Sequence, residues 1–305
     1  MNQNIVQFFE SLRHPVLTPI VIAITNLGNE LFYIAAIAAL YWVWDKDIAL
    51  KLATGITTSS YVNNVLKIVI GSPRPYANNS PEDHWLGVDV EEYKLSNGMP
   101  SGHAQGAGTF WTLLGYYVND RKFWILAGVM ILLIGLSRLY LAVHFLEDVI
   151  VGWILGIAIA VVIQYSWARG EQFFAEKARS TQLVYALSPI ILFLIAVLAF
   201  GAEERTDFAS VSMGALMGIW VGHLFQEQYI GFSSRTENKL TLGVRLFVGY
   251  IILVPLTFLL SILQHAFFDT SPMLLQLILT LFRYSFIGFT ATFLIPILFT
   301  KIEID

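Results

Sequence analysis

Nine segments of predominantly apolar residues follow one another along this chain and limit what it can fold into. A helix needs roughly 20 mostly apolar residues to cross a bilayer. We predict a transmembrane helix in each segment, which makes the protein an all-α polytopic membrane protein. The segments are 30–44, 48–70, 104–118, 122–139, 145–167, 181–200, 208–226, 242–263 and 273–300.

The composition excludes several classes of protein. Charged residues make up 13% of the chain and hydrophobic residues 56%, whereas soluble domains carry about 25% charged residues. A water-soluble protein with so few charges could not cover its surface. A formal net charge of −4 argues against a nucleic-acid-binding surface, which needs clustered Lys and Arg. The chain has no cysteine, which excludes disulfides and thiolate or Cys–zinc chemistry.

The basic residues between the segments predict an orientation. Residues 1–29 contain Pro15 and a break at 26–29, so we expect them to form a short interfacial lead-in rather than a span. With residue 1 outside, the inner connections and the chain end hold ten of the 18 basic residues, as the positive-inside rule expects. They are Lys46, Lys51, Arg121, Lys122, Arg169, Lys177, Arg179, Arg235, Lys239 and Lys301. This orientation places the loops 71–103, 138–144, 201–207 and 264–272 outside the cytoplasm.

Three cations on the outer side form a candidate anion site. Lys67 lies near the end of the second span, Arg74 follows seven residues later before Pro75, and Arg138 ends the fourth span. Cations in or beside membrane helices are costly and need an explanation. Snorkelling at the interface is one, but snorkelling cations favour the cytoplasmic side. We therefore interpret the three as a cluster built for an anion.

The segment 98–103, which reads Gly-Met-Pro-Ser-Gly-His, opens the third span beside these cations. Free backbone N–H groups at a helix start, with glycine allowing close approach, suit a phosphate. Ser101 can add a hydroxyl donor. This predicts a phosphate cradle around Ser101 and Gly102, followed at once by His103.

A histidine and a carboxylate open the fifth span. His144 and Asp148 are four residues apart and would share one face of a helix. A carboxylate that holds one imidazole nitrogen leaves the other as a nucleophile or base. Glu147 would point about 100° away. Cations, two histidines and one carboxylate on one membrane face suit phosphoryl transfer.

Together the three strings resemble the type 2 phosphatidic acid phosphatase (PAP2) superfamily. That family's pattern is Lys-x6-Arg-Pro, Pro-Ser-Gly-His and Ser-Arg-x5-His-x3-Asp, and the chain matches every position between Lys67 and Asp148. The resemblance is specific over 67–148 and extends loosely over the usual helical core. It divides the chain into a lead-in at 1–29, a PAP2-like catalytic core at 30–200, and about three additional C-terminal transmembrane helices at 201–305.

The resemblance implies a mechanism. His144 would attack phosphorus to form a phosphohistidine, and Asp148 would orient it. His103 would protonate the leaving oxygen and then activate water. No metal and no cofactor is implied. The phosphate would be bound by Lys67, Arg74, Ser101, Gly102 and Arg138.

The resemblance also bears on the substrate. Nine spans with the N-terminus outside resemble glucose-6-phosphatase and sphingosine-1-phosphate phosphatase, but Asp148 stands where we would expect glutamine in the glucose-6-phosphatase branch. A lipid monophosphate or polyprenyl diphosphate of the plasma or another cellular membrane is therefore expected, for example phosphatidic acid or phosphatidylglycerophosphate. The alternatives are a lipid-linked phosphotransferase, a sugar-phosphate phosphatase and a non-enzymatic lipid or anion transporter. Transport is disfavoured because the inner loops show no matching anion site.

Two further regions carry expectations. The loop 71–103 contains an acidic patch that we interpret as a solvated face, with a substrate-admitting lid as the alternative. The spans of 201–305 are assigned to packing, to a homodimer contact or to a wider lipid groove. Arg283 lies ten residues into the last span, and we expect it to pair with a carboxylate or a water-filled gap, as an internal structural pair rather than a substrate contact. The acidic patch consists of Glu82, Asp83, Asp89, Glu91 and Glu92.

Overall fold

The computed structural model describes residues 3–75, 97–203, 206–268 and 270–302, and all regular structure in these ranges is helical. This confirms the all-α fold class. The first seven helices are α1 (Gln3–Ser11), α2 (Leu17–Asn26), α3 (Glu30–Val43), α4 (Lys46–Ile70), α5 (Gly102–Val118), α6 (Arg121–Tyr140) and α7 (Leu146–Ala175). The others are α8 (Arg179–Leu187), α9 (Pro189–Phe200), α10 (Asp207–Tyr229), α11 (Lys239–Phe268), α12 (Met273–Phe289), a π-helical segment (Thr290–Leu294) and α13 (Ile295–Ile302).

Each of the nine predicted spans coincides with a helix or with consecutive helices, but their lengths and compositions differ. Within the described ranges, six helical stretches are long and apolar enough to cross a membrane, and α2 with α3 makes a seventh if the pair, bent by 54°, is one span. Of the predicted spans, α4 and α5 fall short, as does α3 by itself, which has 14 residues. Helix α5 has 17 residues, and α4 carries a run of Thr, Ser and Asn side chains. The six stretches are Arg121–Tyr140, Leu146–Ala175, Arg179–Phe200, Asp207–Tyr229, Lys239–Phe268 and Met273–Lys301.

By its internal contacts the chain forms two compact units. The first comprises Met1–Ile34 and Thr58–Ser166, and the second Ala35–Thr57 and Trp167–Asp305. Because α3, α4 and α7 run through these limits, the units share continuous helices. The division into 1–29, 30–200 and 201–305 concerns function and stays a prediction.

In the first unit, the N-terminal helices pack on α6. Val6 of α1 is buried in a cluster with Tyr140 and Val143, and the Thr18 hydroxyl of α2 lies 2.8 Å from the Tyr140 hydroxyl. The side chains of Thr18 and Thr25 are both buried. Part of the lead-in therefore supports the end of α6, which carries one of the predicted site residues.

In the second unit, α10 and α12 approach each other along a stripe of glycines. Gly214, Gly218 and Gly222 are spaced four residues apart and lie on one face of α10. A Cβ at Gly218 would collide with the backbone carbonyl oxygen of Ser285. Small residues let membrane helices pack backbone against backbone, where dispersion contacts replace the missing hydrophobic driving force.

Two cations bind the loops of this unit. Lys46 is half-buried, and its Nζ donates to Gln226 Oε1 at 3.1 Å, to Glu227 Oε1 at 2.5 Å and to the Phe232 carbonyl at 2.7 Å. Arg245 is 4% exposed, and its Nη1 donates to the carbonyls of Trp42, Ser233 and Ser234 at 3.3, 3.1 and 3.1 Å. Protein acceptors thus bind both cations, as a charge removed from water requires.

The glycine stripe generates a stability prediction. We expect Gly218→Ala to lower the free energy of unfolding by about 1–3 kcal/mol, because the added methyl forces two packed backbones apart. The matched control is Gly243→Ala in α11, where a Cβ meets nothing within 4 Å; it should leave stability unchanged or raise it by up to about 1 kcal/mol. Thermal unfolding of the purified proteins in detergent measures both. Equal melting temperatures for the two variants would contradict the packing.

Candidate active site

The five-residue connection between α6 and α7 presents His144. Ala142 in this connection has φ 54°, a left-handed conformation that non-glycine residues seldom adopt. The Val143 N–H donates to the Arg138 carbonyl at 3.1 Å, and the hydrophobic side chains of the connection are buried. A backbone hydrogen bond and buried side chains thus fix this turn. Strained backbone of this kind persists where the surrounding structure holds it in place.

His144 is paired with Asp148, as predicted. The distance from Nδ1 to Asp148 Oδ2 is 3.3 Å, and both side chains are buried, 2% and 0% exposed. We expected both residues on one helical face, but α7 begins at Leu146, so Asp148 lies in the helix and His144 precedes it. Asp148 instead reaches back from the first turn, where its Oδ2 also accepts the Phe145 N–H at 2.9 Å. The carboxylate caps the helix and holds the imidazole at once.

Arg74 establishes which imidazole nitrogen carries the proton. Its Nη1 lies 3.0 Å from His144 Nε2 and donates to the Val143 carbonyl at 2.9 Å. A guanidinium has donors and no acceptor, so Nε2 must be the unprotonated nitrogen. The proton then lies on Nδ1, facing Asp148. This tautomer presents the Nε2 lone pair beside a positive charge.

The predicted cations surround this imidazole. Burial, together with the positive charges of Arg74, Arg138, Lys67 and His103, holds the pKa of His144 well below its usual range. The imidazole is therefore neutral at pH 7, and its unprotonated Nε2 accepts a hydrogen bond from Arg74. All four groups lie near enough to act on one ring, although they come from separate helices and loops.

Arg138 is held by a residue that sequence reasoning missed. Its Nη1 donates to the Thr25 hydroxyl at 2.7 Å, and Arg138 is 2% exposed. Thr25 belongs to α2, within the segment expected to be a lead-in. Nothing in the local sequence around Thr25 signals this role, since the contact joins residues 113 positions apart.

The segment from Asn97 to Gly102 lies against the same carboxylate. Asn97 Nδ2 donates to the Lys67 carbonyl at 2.8 Å, and the Ser101 N–H donates to the Asp148 carbonyl at 2.9 Å. A Cβ at Gly98 would come within 2.9 Å of the Pro73 carbonyl oxygen and 3.1 Å of Asp148 Oδ2. Only glycine leaves room for this approach. The expected cradle residues thus meet the His144–Asp148 pair.

Two buried oxygens at this junction have unused hydrogen-bonding capacity. Ser101 Oγ and Asp148 Oδ1 have no hydrogen-bond partner among the described residues, and both side chains are 0% exposed. A buried polar atom without a partner is costly. The Ser101 hydroxyl can donate to a bound anion, which is the role predicted for it.

A polar network supports the segment from the membrane side, and sequence reasoning missed it too. Asn63 Nδ2 donates to the Pro100 carbonyl at 3.2 Å and to Gln105 Oε1 at 2.8 Å. Gln105 Nε2 in turn donates to the Ser59 carbonyl at 2.9 Å. The available signal was the surplus of amide and hydroxyl side chains in α4, which an apolar span does not need.

The other predicted residues lie around this centre. Gly102 is the first residue of α5 and His103 the second. His103 is half-buried, with its ring near Gly28, and Lys67 is half-buried in the last turn of α4. The acidic patch at 82–92 lies outside the described residues. Within the described ranges, no group of three or more His, Asp or Glu side chains is arranged to hold a metal ion.

The unpartnered Ser101 hydroxyl gives a prediction that separates binding from folding. Ser101→Ala should weaken binding of orthophosphate by about ten- to a hundredfold, the value of one hydrogen bond to a charged group. It should leave the melting temperature unchanged or higher, because the hydroxyl has no described partner to lose. Isothermal titration with phosphate and thermal unfolding measure the two effects.

Ser137→Ala is the matched control, since the Ser137 hydroxyl donates to the Ile134 carbonyl at 2.6 Å within its own helix. This control should bind phosphate as the parent does. A Ser101→Ala protein with unchanged phosphate affinity would show that the hydroxyl does not face the anion.

Two family profiles match the sequence. One, described as the PAP2 superfamily, covers residues 48–172. The other, described as the PAP2 superfamily phosphatase transmembrane extension, covers residues 210–305. The first profile contains all the predicted site residues, and the second covers nearly all of the predicted C-terminal segment.

Several curated proteins with similar sequences are named as phosphatases. Sphingosine-1-phosphate phosphatase 2 of Mus musculus is 25% identical over 210 residues, which cover 66% of this chain and 57% of that protein. Phosphatidylglycerophosphatase B of Bacillus subtilis (strain 168) is 29% identical over 169 residues, which cover 50% of this chain and 76% of that protein. The glucose-6-phosphatase catalytic subunit 1 of Haplochromis nubilus is 30% identical over 144 residues, covering 39% and 40%. This chain thus spans about half the length of the sphingosine-1-phosphate and glucose-6-phosphate enzymes.

Proposed function

Because the chain belongs to the PAP2 superfamily, we propose that it is an integral membrane phosphatase that hydrolyses a lipid phosphate or diphosphate through a phosphohistidine intermediate. The observation that carries the proposal is the state of His144. Its Nδ1 faces Asp148 and its Nε2 faces Arg74. A neutral imidazole whose unprotonated Nε2 accepts a hydrogen bond from Arg74 becomes a nucleophile when that guanidinium turns to the phosphate of a bound anionic substrate.

The first step forms a P–N bond. The Nε2 lone pair of His144 attacks phosphorus, and the bond from phosphorus to the leaving oxygen breaks. His103, which takes up a proton when the anionic phosphate binds and offsets the neighbouring positive charges, gives that proton to the leaving oxygen. Arg74, Arg138 and Lys67 stabilise the charge on the other phosphate oxygens.

The second step releases phosphate. His103, now neutral, takes a proton from water as the water attacks phosphorus, and the P–N bond to His144 breaks. Asp148 stabilises the imidazolium character that His144 acquires while it is phosphorylated. Protein side chains serve as nucleophile, acid, base and anion binder, so the proposed reaction does not require a metal ion.

A lipid substrate is supported by the relatives and by the site. The mouse and Bacillus subtilis relatives are named for lipid phosphates, and Asp148 agrees with that branch of the family. The distribution of basic residues supports a site that opens on the extracytoplasmic side. We therefore place the reaction at the membrane–water interface on the extracytoplasmic side, where lipid headgroups lie.

Phosphate release from a substrate panel tests the function. Purified protein in detergent, with excess chelator, is given phosphatidic acid, phosphatidylglycerophosphate, undecaprenyl diphosphate, sphingosine-1-phosphate and glucose-6-phosphate. We expect chelator-resistant release of inorganic phosphate from at least one lipid. His144→Ala should abolish it, whereas His265→Ala, an exposed residue at the end of α11, should not.

The other results have distinct meanings. Release from glucose-6-phosphate alone would assign the protein to the sugar-phosphate branch. Transfer of the phosphoryl group to an added alcohol in preference to water would assign it to the phosphotransferases. Full activity of His144→Ala would refute the phosphohistidine.

The carboxylate generates a second kinetic prediction. Asp148→Asn should lower kcat on the order of 10³-fold, because an amide keeps the size of the side chain but lacks the negative charge that stabilises the positively charged, phosphorylated His144. The melting temperature should change little, since the amide oxygen can still accept the Phe145 N–H. Initial rates at substrate saturation give kcat.

Glu147→Gln changes the adjacent carboxylate and is the matched control; its kcat should fall by less than about tenfold. Equal losses in the two variants would indicate a general effect of negative charge rather than the specific pairing of Asp148 with His144.

A further inference from the structure

A groove between α11 and α12 in the second unit encloses about 440 Å³. Leu263, Phe267, Phe282 and Phe286 line it, and all four side chains are exposed at the protein surface. In a membrane-spanning unit such a surface faces lipid. Two polar residues, Gln264 and Arg283, interrupt this otherwise apolar and aromatic wall.

Arg283 lies deep along this groove. It is ten residues after Met273, which corresponds to about 15 Å at 1.5 Å per residue. Its Nη1 lies 3.4 Å from the hydroxyl of Ser261, seven residues before the end of α11 at Phe268. The guanidinium is therefore held about 10 to 15 Å from the ends of the two helices that form the groove.

No carboxylate among the described residues pairs with this guanidinium. Within those ranges its polar contacts are the long one to Ser261 and the face of the Tyr284 ring at 4.9 Å from the centroid. Of the two expected surroundings, a carboxylate or a water-filled gap, the carboxylate is therefore absent from the described part of the chain. Arg245 shows the contrast, because three backbone carbonyls accept hydrogen bonds from it. A cation within a membrane-spanning helix pairs with an anion or with backbone carbonyls, or faces a water-filled cavity.

Gln264 adds a second group that points to a ligand. Its Nε2 donates to the Thr280 hydroxyl at 2.8 Å, which orients the amide. Its Oε1 is buried and has no hydrogen-bond partner among the described residues. The groove thus offers a positive charge and a hydrogen-bond acceptor beside an apolar wall.

We propose that this groove binds an anionic phospholipid, with the phosphodiester on Arg283 and one acyl chain along the aromatic wall. The Gln264 oxygen accepts a hydrogen bond from a headgroup hydroxyl. The charge of Arg283 favours a lipid over an apolar partner helix, because a phosphodiester supplies the anion that such a helix lacks. The site is separate from the His144 centre and its ligand is a diester, which the proposed reaction does not consume.

Lipid retention by the purified protein tests the proposal. The His144→Ala protein is reconstituted in nanodiscs with equal amounts of phosphatidylglycerol and phosphatidylcholine, extracted in mild detergent and analysed by native mass spectrometry. We expect phosphatidylglycerol to be retained preferentially. Arg283→Gln should reduce that preference about tenfold, and Arg283→Lys should keep most of it. Arg169→Gln, which removes an exposed arginine outside the groove, is the matched control and should change nothing.

Photo-crosslinking locates the lipid. Phosphatidylglycerol with a diazirine in its acyl chain should label peptides within 260–268 and 279–286. Phe286→Trp, which fills the groove and keeps the charge, should lower both labelling and retention even if Arg283→Gln fails to fold. Unchanged retention in Arg283→Gln and Phe286→Trp, or labelling confined to other helices, would overturn the proposal. A protein crosslinked in the groove in native membranes, in place of lipid, would also overturn it.

These outcomes are independent of the phosphatase test. Retention is measured with His144 removed, whereas phosphate release is measured with His144 present. A protein that retains phosphatidylglycerol and hydrolyses nothing would support the groove and refute the proposed reaction. The reverse result would refute only the groove.

Discussion

The hydrogen bonds on the two nitrogens of His144 are the constraint on which the first unit depends. Asp148 holds Nδ1 and Arg74 donates to Nε2, so one tautomer is selected by a carboxylate on one side and a guanidinium on the other. The same Asp148 caps α7 and its backbone carbonyl accepts the Ser101 N–H. The chemistry of the site and the local fold thus share one residue.

Polar groups can lie this deep in an apolar bundle because neighbouring helices supply their partners. Asn63 and Gln105 satisfy each other and the Pro100 carbonyl, and Thr25 takes the Arg138 guanidinium. This explains why α4 is less apolar than a lipid-facing span: its amides and hydroxyls support the segment that would bind phosphate. Buried polar networks of this kind rigidify a structure when every member is satisfied.

Two arginines of the second unit have different surroundings. Arg245 is enclosed by backbone carbonyls, whereas Arg283 faces an apolar groove with no carboxylate among the described residues. Close packing of α10 on α12 through Gly218 holds α12, and therefore Arg283, in place. The C-terminal helices, which appeared in the sequence only as extra spans, thus carry a candidate lipid site.

The sequence by itself determined the membrane class, the helical fold and the residues of the candidate site, because apolar length and the spacing of His144 and Asp148 are local properties of the chain. Only the tertiary structure decided which nitrogen of His144 is unprotonated, since that depends on Arg74 from a distant loop. It also showed that Thr25 supports Arg138 and that no described carboxylate meets Arg283. Contacts between residues far apart in the chain are decided by packing, which spacing along one helix does not encode.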